Sequence, residues 1–216
     1  MANPGMGLLL TMTEPPAGME EEFNAWYDTE HIDERLSITG FLSARRWVRE
    51  CKPGEGKYLA TYELTAPGVL DTPEYLAHIG DHFSPWSRRC LTRAVVSRRW
   101  ACTQILPGSG TPDPAAQAQL MVCANVSAEH EAEFNRWYDE EHVPMLAKVP
   151  GVLAARRFLA SSGTPRYVAL YDLAGAGVTE HPEFKAALKT EWTRKMLRTA
   201  TNWEMHTYLA YETPKV

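Results

Sequence analysis

The chain of 216 residues carries a net charge of −5, and its 44% hydrophobic and 23% charged residues are typical of a globular protein with one large domain or two small ones. Lys and Arg form no run longer than a pair, so we expect no nucleic-acid interface, which needs concentrated positive charge. The longest early apolar run, Leu8–Leu10, is too short for a signal peptide or a membrane span, so no membrane partner is expected.

The first half of the chain alternates between strand-like and helix-like patterns. An apolar run at 7–13 predicts a strand, and an amphipathic stretch at about 19–36 predicts a helix. Two β-patterned runs joined by the turn CKPGEG come next. A broken helical stretch and a last strand at about 96–105 complete this half.

The second half repeats the same order of elements after a segment rich in Pro, Gly and Ala. That segment, LPGSGTPDPAAQA (106–118), is typical of a linker. A strand is predicted at 119–125 and a helix at about 128–143, with Ser127 as its N-cap. Two strands joined by SSGT, a helical stretch and a strand at about 201–211 follow.

The two halves are copies of one sequence. Residues 23–47 and 134–158 align without a gap, and twelve of the 25 positions are identical. The match continues where KYLATYEL meets RYVALYDL and where WSRRCL meets WTRKML. We therefore predict a first unit (1–105), a linker (106–118) and a second unit (119–216).

Each unit has the order βαββαβ, which is the ferredoxin-like pattern. Such a four-stranded sheet carries its helices on one face, so the other face must be buried by something else. The sheet of the sister unit is the obvious candidate. We accordingly expect separately expressed halves to be insoluble or to re-associate when mixed.

The helix motif FNxWYDxEHxP, followed by PGVLAARRF, resembles the dimeric α/β-barrel superfamily and, within it, the EthD-like group. The match is fullest in the second half, because Asp33 and Thr39 stand in the first half where Pro144 and Pro150 stand in the second. The resemblance implies an α+β fold: two tandem ferredoxin-like βαββαβ units packed sheet to sheet as an intramolecular dimeric α/β barrel. Proteins of this superfamily include isomerases, lyases, cofactor-free monooxygenases and haem proteins, so the fold does not fix the reaction.

The repeated nine residues, FNAWYDTEH and FNRWYDEEH, supply most of the candidate site. On an ideal α-helical wheel, Glu30 lies in the middle of the apolar stripe, His31 lies on its flank beside Asn24, and Asp28 points to solvent. A carboxylate on a packing face needs a partner. An arginine of the next strand is the expected partner, which would make the glutamates structural.

The histidines and arginines allow a catalytic interpretation beside the structural one. An imidazole with a pKa near neutrality could exchange a proton with a substrate, and an arginine could stabilise a developing oxyanion. The catalytic candidates are His142, His31, Glu141 and Glu30. The substrate-binding candidates are Tyr138, Trp137, Asn135, Arg156, Arg157, Tyr27, Trp26, Asn24, Arg45, Arg46 and His206.

Other chemistries lack a sequence signature. The chain has no GxGxxG after a strand, no GxxxxGK[ST], no HExxH and no GxSxG. Its four cysteines form no CxxC pair and have no histidine nearby at zinc-like spacing, so we expect reduced thiols in a cytoplasmic protein and no metal site. Haem is implied only through relatives of the fold, and no histidine has a clear claim to be its axial ligand.

These features favour a cofactor-independent lyase, isomerase or dehydratase that transfers protons on a small, mostly apolar, oxygenated organic molecule. The alternatives are a non-catalytic protein that binds a hydrophobic metabolite and a cofactor-free monooxygenase. The expected partner is a small-molecule substrate, and a homodimer of the pseudo-dimeric chain is a further expectation. The second half is favoured as the working site because it keeps the EHVP motif.

Overall fold

The structure is a computed structural model, and it describes residues 5–212. The described chain divides into two compact units. The first runs up to Thr103 and includes Ser161–Gly163 and the residues from Tyr211 onward. The second comprises Gln104–Ala160 and Thr164–Ala210.

The first unit has the predicted βαββαβ order. Its strands are β1 (Gly7–Glu14), β2 (Phe41–Val48), β3 (Tyr58–Leu64) and β4 (Val96–Leu106). Its helices are α1 (Glu20–Trp26), α2 (Ile32–Leu36), α3 (Pro73–Leu76) and α4 (Pro85–Arg93). A π-helical turn (Tyr27–His31) joins α1 to α2, and short 3₁₀ turns lie at Pro67–Asp71 and Gly80–His82.

The second unit repeats these elements. Its strands are β5 (Ala118–Asn125), β6 (Val152–Ser162), β7 (Tyr167–Leu173) and β8 (Thr201–Ala210). Its helices are α5 (Ala128–Trp137), α6 (Val143–Leu146), α7 (Pro182–Ala187) and α8 (Glu191–Thr199). A π-helical turn (Tyr138–His142) again joins the first two helices, and a 3₁₀ turn lies at Ala176–Glu180. Ser127 occupies the predicted N-cap position of α5, but its side chain makes no capping hydrogen bond.

Each unit contains one antiparallel four-stranded arrangement. In the first, β1 pairs with both β3 and β4, and β2 pairs with β3. In the second, β5 pairs with both β7 and β8, and β6 pairs with β7. The inner strands β3 and β7 are buried at every position, which explains why YLATYEL and YVALYDL read as nearly continuous apolar runs.

Each unit buries its own apolar cluster between helices and sheet. Phe23, Trp26 and Tyr27 belong to the cluster of the first unit, and Phe134, Trp137 and Tyr138 to that of the second. The predicted apolar stripe of the repeated helix is thereby confirmed. Among residues 5–212, no helix is long and apolar enough to cross a membrane.

The segment predicted as a linker holds neither helix nor strand between Leu106 and Ala118, yet it is anchored to the second unit. The side-chain amide of Gln104 both donates to the carbonyl of Gly110 (2.8 Å) and accepts from its N–H (2.6 Å). The N–H of Asp113 donates to Asp172 at 2.7 Å. These contacts involve buried side chains of the unit, so the segment is not a simple flexible tether.

Candidate functional site

The π-helical turn decides where the repeated histidine lies. In the second unit the N–H of Val143 donates to the carbonyl of Tyr138, five residues earlier, which is the hydrogen bond of a π-helix. His142 therefore lies against Trp137, also five residues earlier, with ring centroids 4.4 Å apart and a 29° angle between the planes. In the first unit His31 lies against Trp26 at 4.3 Å. The wheel prediction, which placed the histidine on the flank beside Asn24, is wrong because it assumed an unbroken α-helix.

His142 lines a cavity of about 220 Å³ between the helices and sheet of the second unit. The cavity is largely apolar, and its polar side chains include the hydroxyls of Tyr138, Tyr171 and Thr193. The apolar side chains in its wall are Leu120, Val122, Trp137, Leu146, Phe184, Leu188, Leu197, Trp203 and Met205. A concave, largely apolar space with a few polar groups is the usual form of a small-molecule site.

Burial makes the cavity histidines weak bases. Burial, together with the smaller effect of the Arg157 charge, lowers the pKa of His142 from 6.5 to about 4. Burial, Arg35 and Arg46 together lower the pKa of His31 to about 3. The expectation of a histidine that titrates near neutrality is therefore wrong, since both imidazoles are neutral at physiological pH.

The protein leaves hydrogen-bonding capacity unused at the cavity of the second unit. Nδ1 of His142 and the hydroxyl of Tyr171 are buried, and neither has a hydrogen-bond partner among the described residues. Burial raises the pKa of Tyr171 well above 10 and that of Tyr138 to about 12, so both phenols stay protonated and can donate. Unsatisfied buried polar groups are costly and call for an explanation. A ligand with oxygen atoms would supply one.

The repeated glutamates face a helix N-terminus and not an arginine. Glu141 accepts a hydrogen bond at 2.7 Å from the hydroxyl of Thr190, which itself accepts from the N–H of Thr193 and caps α8. Glu30 accepts from Ser84 at 2.5 Å, and Ser84 caps α4 in the same way. The expected pairing of these glutamates with strand arginines is wrong. A carboxylate at this place complements the partial positive charge of the helix end.

Arg157 and Arg46 pair instead with the asparagine and aspartate of the repeated helix. Arg157, 2% exposed, donates to Asn135 at 2.8 Å and to Asp139 at 3.2 Å, and its guanidinium lies 4.0 Å from the centre of the Tyr138 ring. Arg46 donates to Asn24 at 2.5 Å and to Asp28 at 2.6 Å.

This arrangement settles how these four polar helix residues are used. The prediction that Asp28 is solvated is wrong, since its side chain is only 12% exposed; Asp139, half exposed, also pairs with an arginine. Asn24 and Asn135 hold the arginines in place and do not line either cavity.

The other arginine of each pair lies on the opposite face of its strand. Arg156 is buried 3.8 Å from Asp172, which is fully buried and accepts from Gln119. Arg45 lies over the ring of Trp47 at 4.3 Å. Neither arginine lines one of the two helix-side cavities.

His206 also lies away from the cavity of the second unit. It pairs across the strands with Met121, whereas the cavity residues Leu120 and Val122 pair with Thr207 and Met205. Because side chains alternate along a strand, His206 is on the other face of β8. Its Nε2 is 3.5 Å from the carboxylate of Glu204.

Sequence reasoning missed several cavity residues. Tyr171 and its counterpart Tyr62 stand at the same place in YVALYDL and YLATYEL, and each lines the cavity of its unit. The repeat itself could have identified them, because a tyrosine kept at the same position on two buried strands is an unusual choice for a purely apolar core. Trp203 also lines the second-unit cavity, and the repeat does not mark it, because Ser97 stands at its place in the first unit.

The residues present do not fit the haem that relatives of the fold imply. Each cavity histidine lies against a tryptophan ring with Nδ1 buried. Within residues 5–212, no three His, Cys, Asp or Glu residues come together as metal ligands would.

Comparison with solved structures identifies the fold. No protein-family model matches the sequence, and no curated protein sequence matches it significantly. An anthrone oxidase-like protein superposes with a TM-score of 0.68 and 12% identity, over 98% of this chain and 93% of that one. Chlorite dismutase from Candidatus Nitrospira defluvii gives 0.60 and 7% identity over 98% and 93%.

A third solved structure, a monooxygenase-like protein from Listeria innocua, gives a TM-score of 0.56 and 10% identity over 98% of both chains. Another similar structure is described as a ferredoxin-fold protein related to antibiotic biosynthesis monooxygenases. These likenesses cover nearly the whole chain and confirm the predicted α+β fold with two ferredoxin-like units. The chain therefore shares its fold with these proteins.

Proposed function

We propose that the chain is an enzyme that removes a proton from a small, neutral, mostly apolar molecule in the second-unit cavity and then allows it to react with dioxygen. The observation that carries this proposal is the neutral, buried His142 in a largely apolar cavity that also presents the hydroxyls of Tyr138 and Tyr171, with Glu204 at its wall. A neutral imidazole can accept a proton, and protonated phenols can stabilise the oxyanion that forms.

The low pKa of His142 restricts the substrate. A base whose conjugate acid has a pKa of about 4 provides little driving force for proton removal. The proton must therefore be acidified by the substrate itself, as in a phenol or in a CH₂ group conjugated with a carbonyl and aromatic rings. Tyr171 and Tyr138 can donate hydrogen bonds to the resulting oxyanion because burial keeps both phenols protonated.

Oxygenation is the reaction class that we favour, because similar solved structures are described as an anthrone oxidase-like protein and a monooxygenase-like protein. In such a reaction the substrate carbanion transfers an electron to O₂, and the two radicals combine into a peroxide anion. Protonated His142 returns its proton to this anion, which gives a hydroperoxide and restores the neutral imidazole. Loss of water then converts the original CH₂ group into a carbonyl. One oxygen atom enters the product, the other leaves in water, and the substrate is the only reductant.

A lyase or isomerase would share the first proton transfer but would not consume O₂, and a binding protein would do neither. Anthrone is a suitable probe because its CH₂ group lies between two aromatic rings opposite a carbonyl. We would measure oxygen uptake and anthraquinone formation at pH 7 for the full chain, His142→Gln and the matched variant His31→Gln.

The proposal predicts equal amounts of O₂ consumed and anthraquinone formed, about a hundredfold loss of rate in His142→Gln, and most of the rate retained in His31→Gln. Rate loss in His31→Gln alone would move the site to the first unit. Anthrone that is bound but not converted in air would favour a binding protein, and conversion of a bound enol or phenol without O₂ would favour a lyase or isomerase.

A further inference from the structure

The equivalent cavity of the first unit has a different chemical character. It measures about 400 Å³ and is lined by His31, Tyr27 and Tyr62, which correspond to His142, Tyr138 and Tyr171. Polar and cationic residues are added around this shared centre, most notably Arg35 and Arg99.

The registers of the strands show which residues correspond. Thr11 lies opposite Arg99 across β1 and β4, whereas Val122 lies opposite Met205 across β5 and β8. The remaining pairs come from the alignment of the repeats. In each pair the first unit has the more polar residue: Thr11 and Val122, Thr13 and Ala124, Arg35 and Leu146, Tyr75 and Phe184, Ser97 and Trp203, Arg99 and Met205.

Arg35 and Arg99 are joined through Tyr75. The guanidinium of Arg35 lies 5.6 Å from the centre of the Tyr75 ring, and Nη2 of Arg99 donates to the Tyr75 hydroxyl at 3.2 Å. Phe184, the counterpart of Tyr75 in the second unit, has no hydroxyl with which to make such a contact.

Arg35 lies buried in the cavity wall, and one of its N–H donors is unused. Its side chain is 2% exposed, and Nη2 donates to the carboxylate of Glu34 at 2.8 Å and to the carbonyl of His78 at 2.6 Å. Its Nε is buried without a hydrogen-bond partner among the described residues. A buried guanidinium with an unsatisfied N–H is costly unless something accepts from it.

We propose that the first-unit cavity is a second binding site that takes a small apolar monocarboxylate, whose carboxylate is held by Arg35 and Arg99. The charges favour a monoanion, because Glu34 offsets one of the two arginines. The third arginine of the wall, Arg98, has its guanidinium at the Trp100 ring and the Met12 sulfur. Leu9, Ile79, Phe83 and Leu91 supply an apolar wall, so the ligand carries a hydrophobic body. The duplicated cavities have thus diverged, one towards neutral ligands and one towards anions, and this inference does not depend on the oxygenase proposal.

The test compares two probes with the same ring system, 1-naphthoate and 1-naphthol, by titration calorimetry on the full chain at pH 7.5. Arg99→Met introduces the residue of the second unit at an exposed position. Arg35→Leu does the same at a buried one. Arg93→Met is the control, because it removes the same charge from an exposed position at the end of α4 that does not line the cavity.

Each cavity variant should weaken 1-naphthoate binding about tenfold or more, the loss expected for one charge-assisted hydrogen bond. Arg93→Met should change it less than about twofold, and 1-naphthol binding should stay the same in all three. Unchanged naphthoate affinity in Arg99→Met and in a folded Arg35→Leu would overturn the proposal. So would an equal loss in Arg93→Met, which would indicate only general attraction by positive charge. Tighter binding of 1-naphthyl phosphate than of 1-naphthoate would overturn the assignment of a monocarboxylate.

Discussion

Mild acid should destabilise the protein through its two buried histidines. In the unfolded chain each imidazole takes up a proton near pH 6.5, but in the folded chain His142 does so only near pH 4 and His31 only near pH 3. Between these values the unfolded state binds more protons, so the free energy of unfolding falls as the pH falls. Each histidine should cost about 2 kcal/mol between pH 6.5 and pH 5, since one pKa unit corresponds to about 1.4 kcal/mol.

Urea denaturation at pH 7 and pH 5 measures this effect. The unmodified chain should lose about 4 kcal/mol in total, His31→Gln and His142→Gln about half as much, and the double variant only the small share due to other groups. His82→Gln is the control, because His82 is exposed and its removal should leave the pH dependence intact. A double variant that loses as much stability as the unmodified chain would refute burial of neutral histidines.

Four further outcomes follow from the site. Arg157→Met should cost about 2–4 kcal/mol of unfolding free energy, because it removes two charge-assisted hydrogen bonds and an aromatic contact. Its control, Arg166→Met at an exposed ion pair, should cost less than about 1 kcal/mol. Equal losses of the two variants in urea denaturation would contradict this prediction. Glu141→Gln should lower the free energy of unfolding by only about 0.5–1 kcal/mol, since the Thr190 hydroxyl can still donate to the amide oxygen and mainly the negative charge at the N-terminus of α8 is lost. A larger loss in thermal denaturation would indicate another charged partner of Glu141. Gly151→Ala should lower the free energy of unfolding by at least about 1 kcal/mol, because φ is +90° and the added carbon would lie 2.7 Å from a methyl group of Val178. An unchanged melting temperature would contradict this and show that the turn relaxes. Turnover of anthrone should be independent of pH between 6 and 8 and fall only towards pH 4, where His142 becomes protonated; a fall at pH 6–7 would assign the proton transfer to another group.

The fold could be predicted because the two halves of the sequence repeat the same pattern of elements. Each half carries the same periodic pattern, and the two readings agree on the order and on nearly all boundaries of the elements. For example, the last strand of the first unit was predicted at about 96–105 and is Val96–Leu106. The repeated glycine before β2 and β6 has a physical reason as well, since Gly40 and Gly151 both have a positive φ and a valine close to the missing side chain.

The site could be predicted only in composition. His142, Tyr138 and Trp137 were identified as candidates and do line one cavity. Their geometry could not be predicted, because a π-helical turn adds one residue to a helical turn without a recognisable sequence pattern. That single residue moves the histidine onto the tryptophan and moves Glu141 towards α8.

The difference in polarity between the two cavities could have been predicted from the sequence. Arg35 and Leu146 occupy the same position of the gap-free alignment, so a comparison of the halves reveals a charge in one that the other lacks. The contact between Arg99 and Tyr75 could not be foreseen, because it joins β4 to α3 across the cavity. Long-range side-chain contacts of this kind depend on the packing of elements and not on local pattern.

The most direct test of the account is whether a neutral hydroxylated ring binds against His142. We would label the histidines with ¹⁵N and record long-range ¹H–¹⁵N spectra of the full chain with and without 1-naphthol, with naphthalene as the matched ligand without a hydroxyl. The account predicts that 1-naphthol shifts the ring nitrogen resonances of His142 and that naphthalene leaves them nearly unchanged. A shift confined to His31, or an equal response to both ligands, would contradict a hydrogen-bonding role for His142 in this cavity.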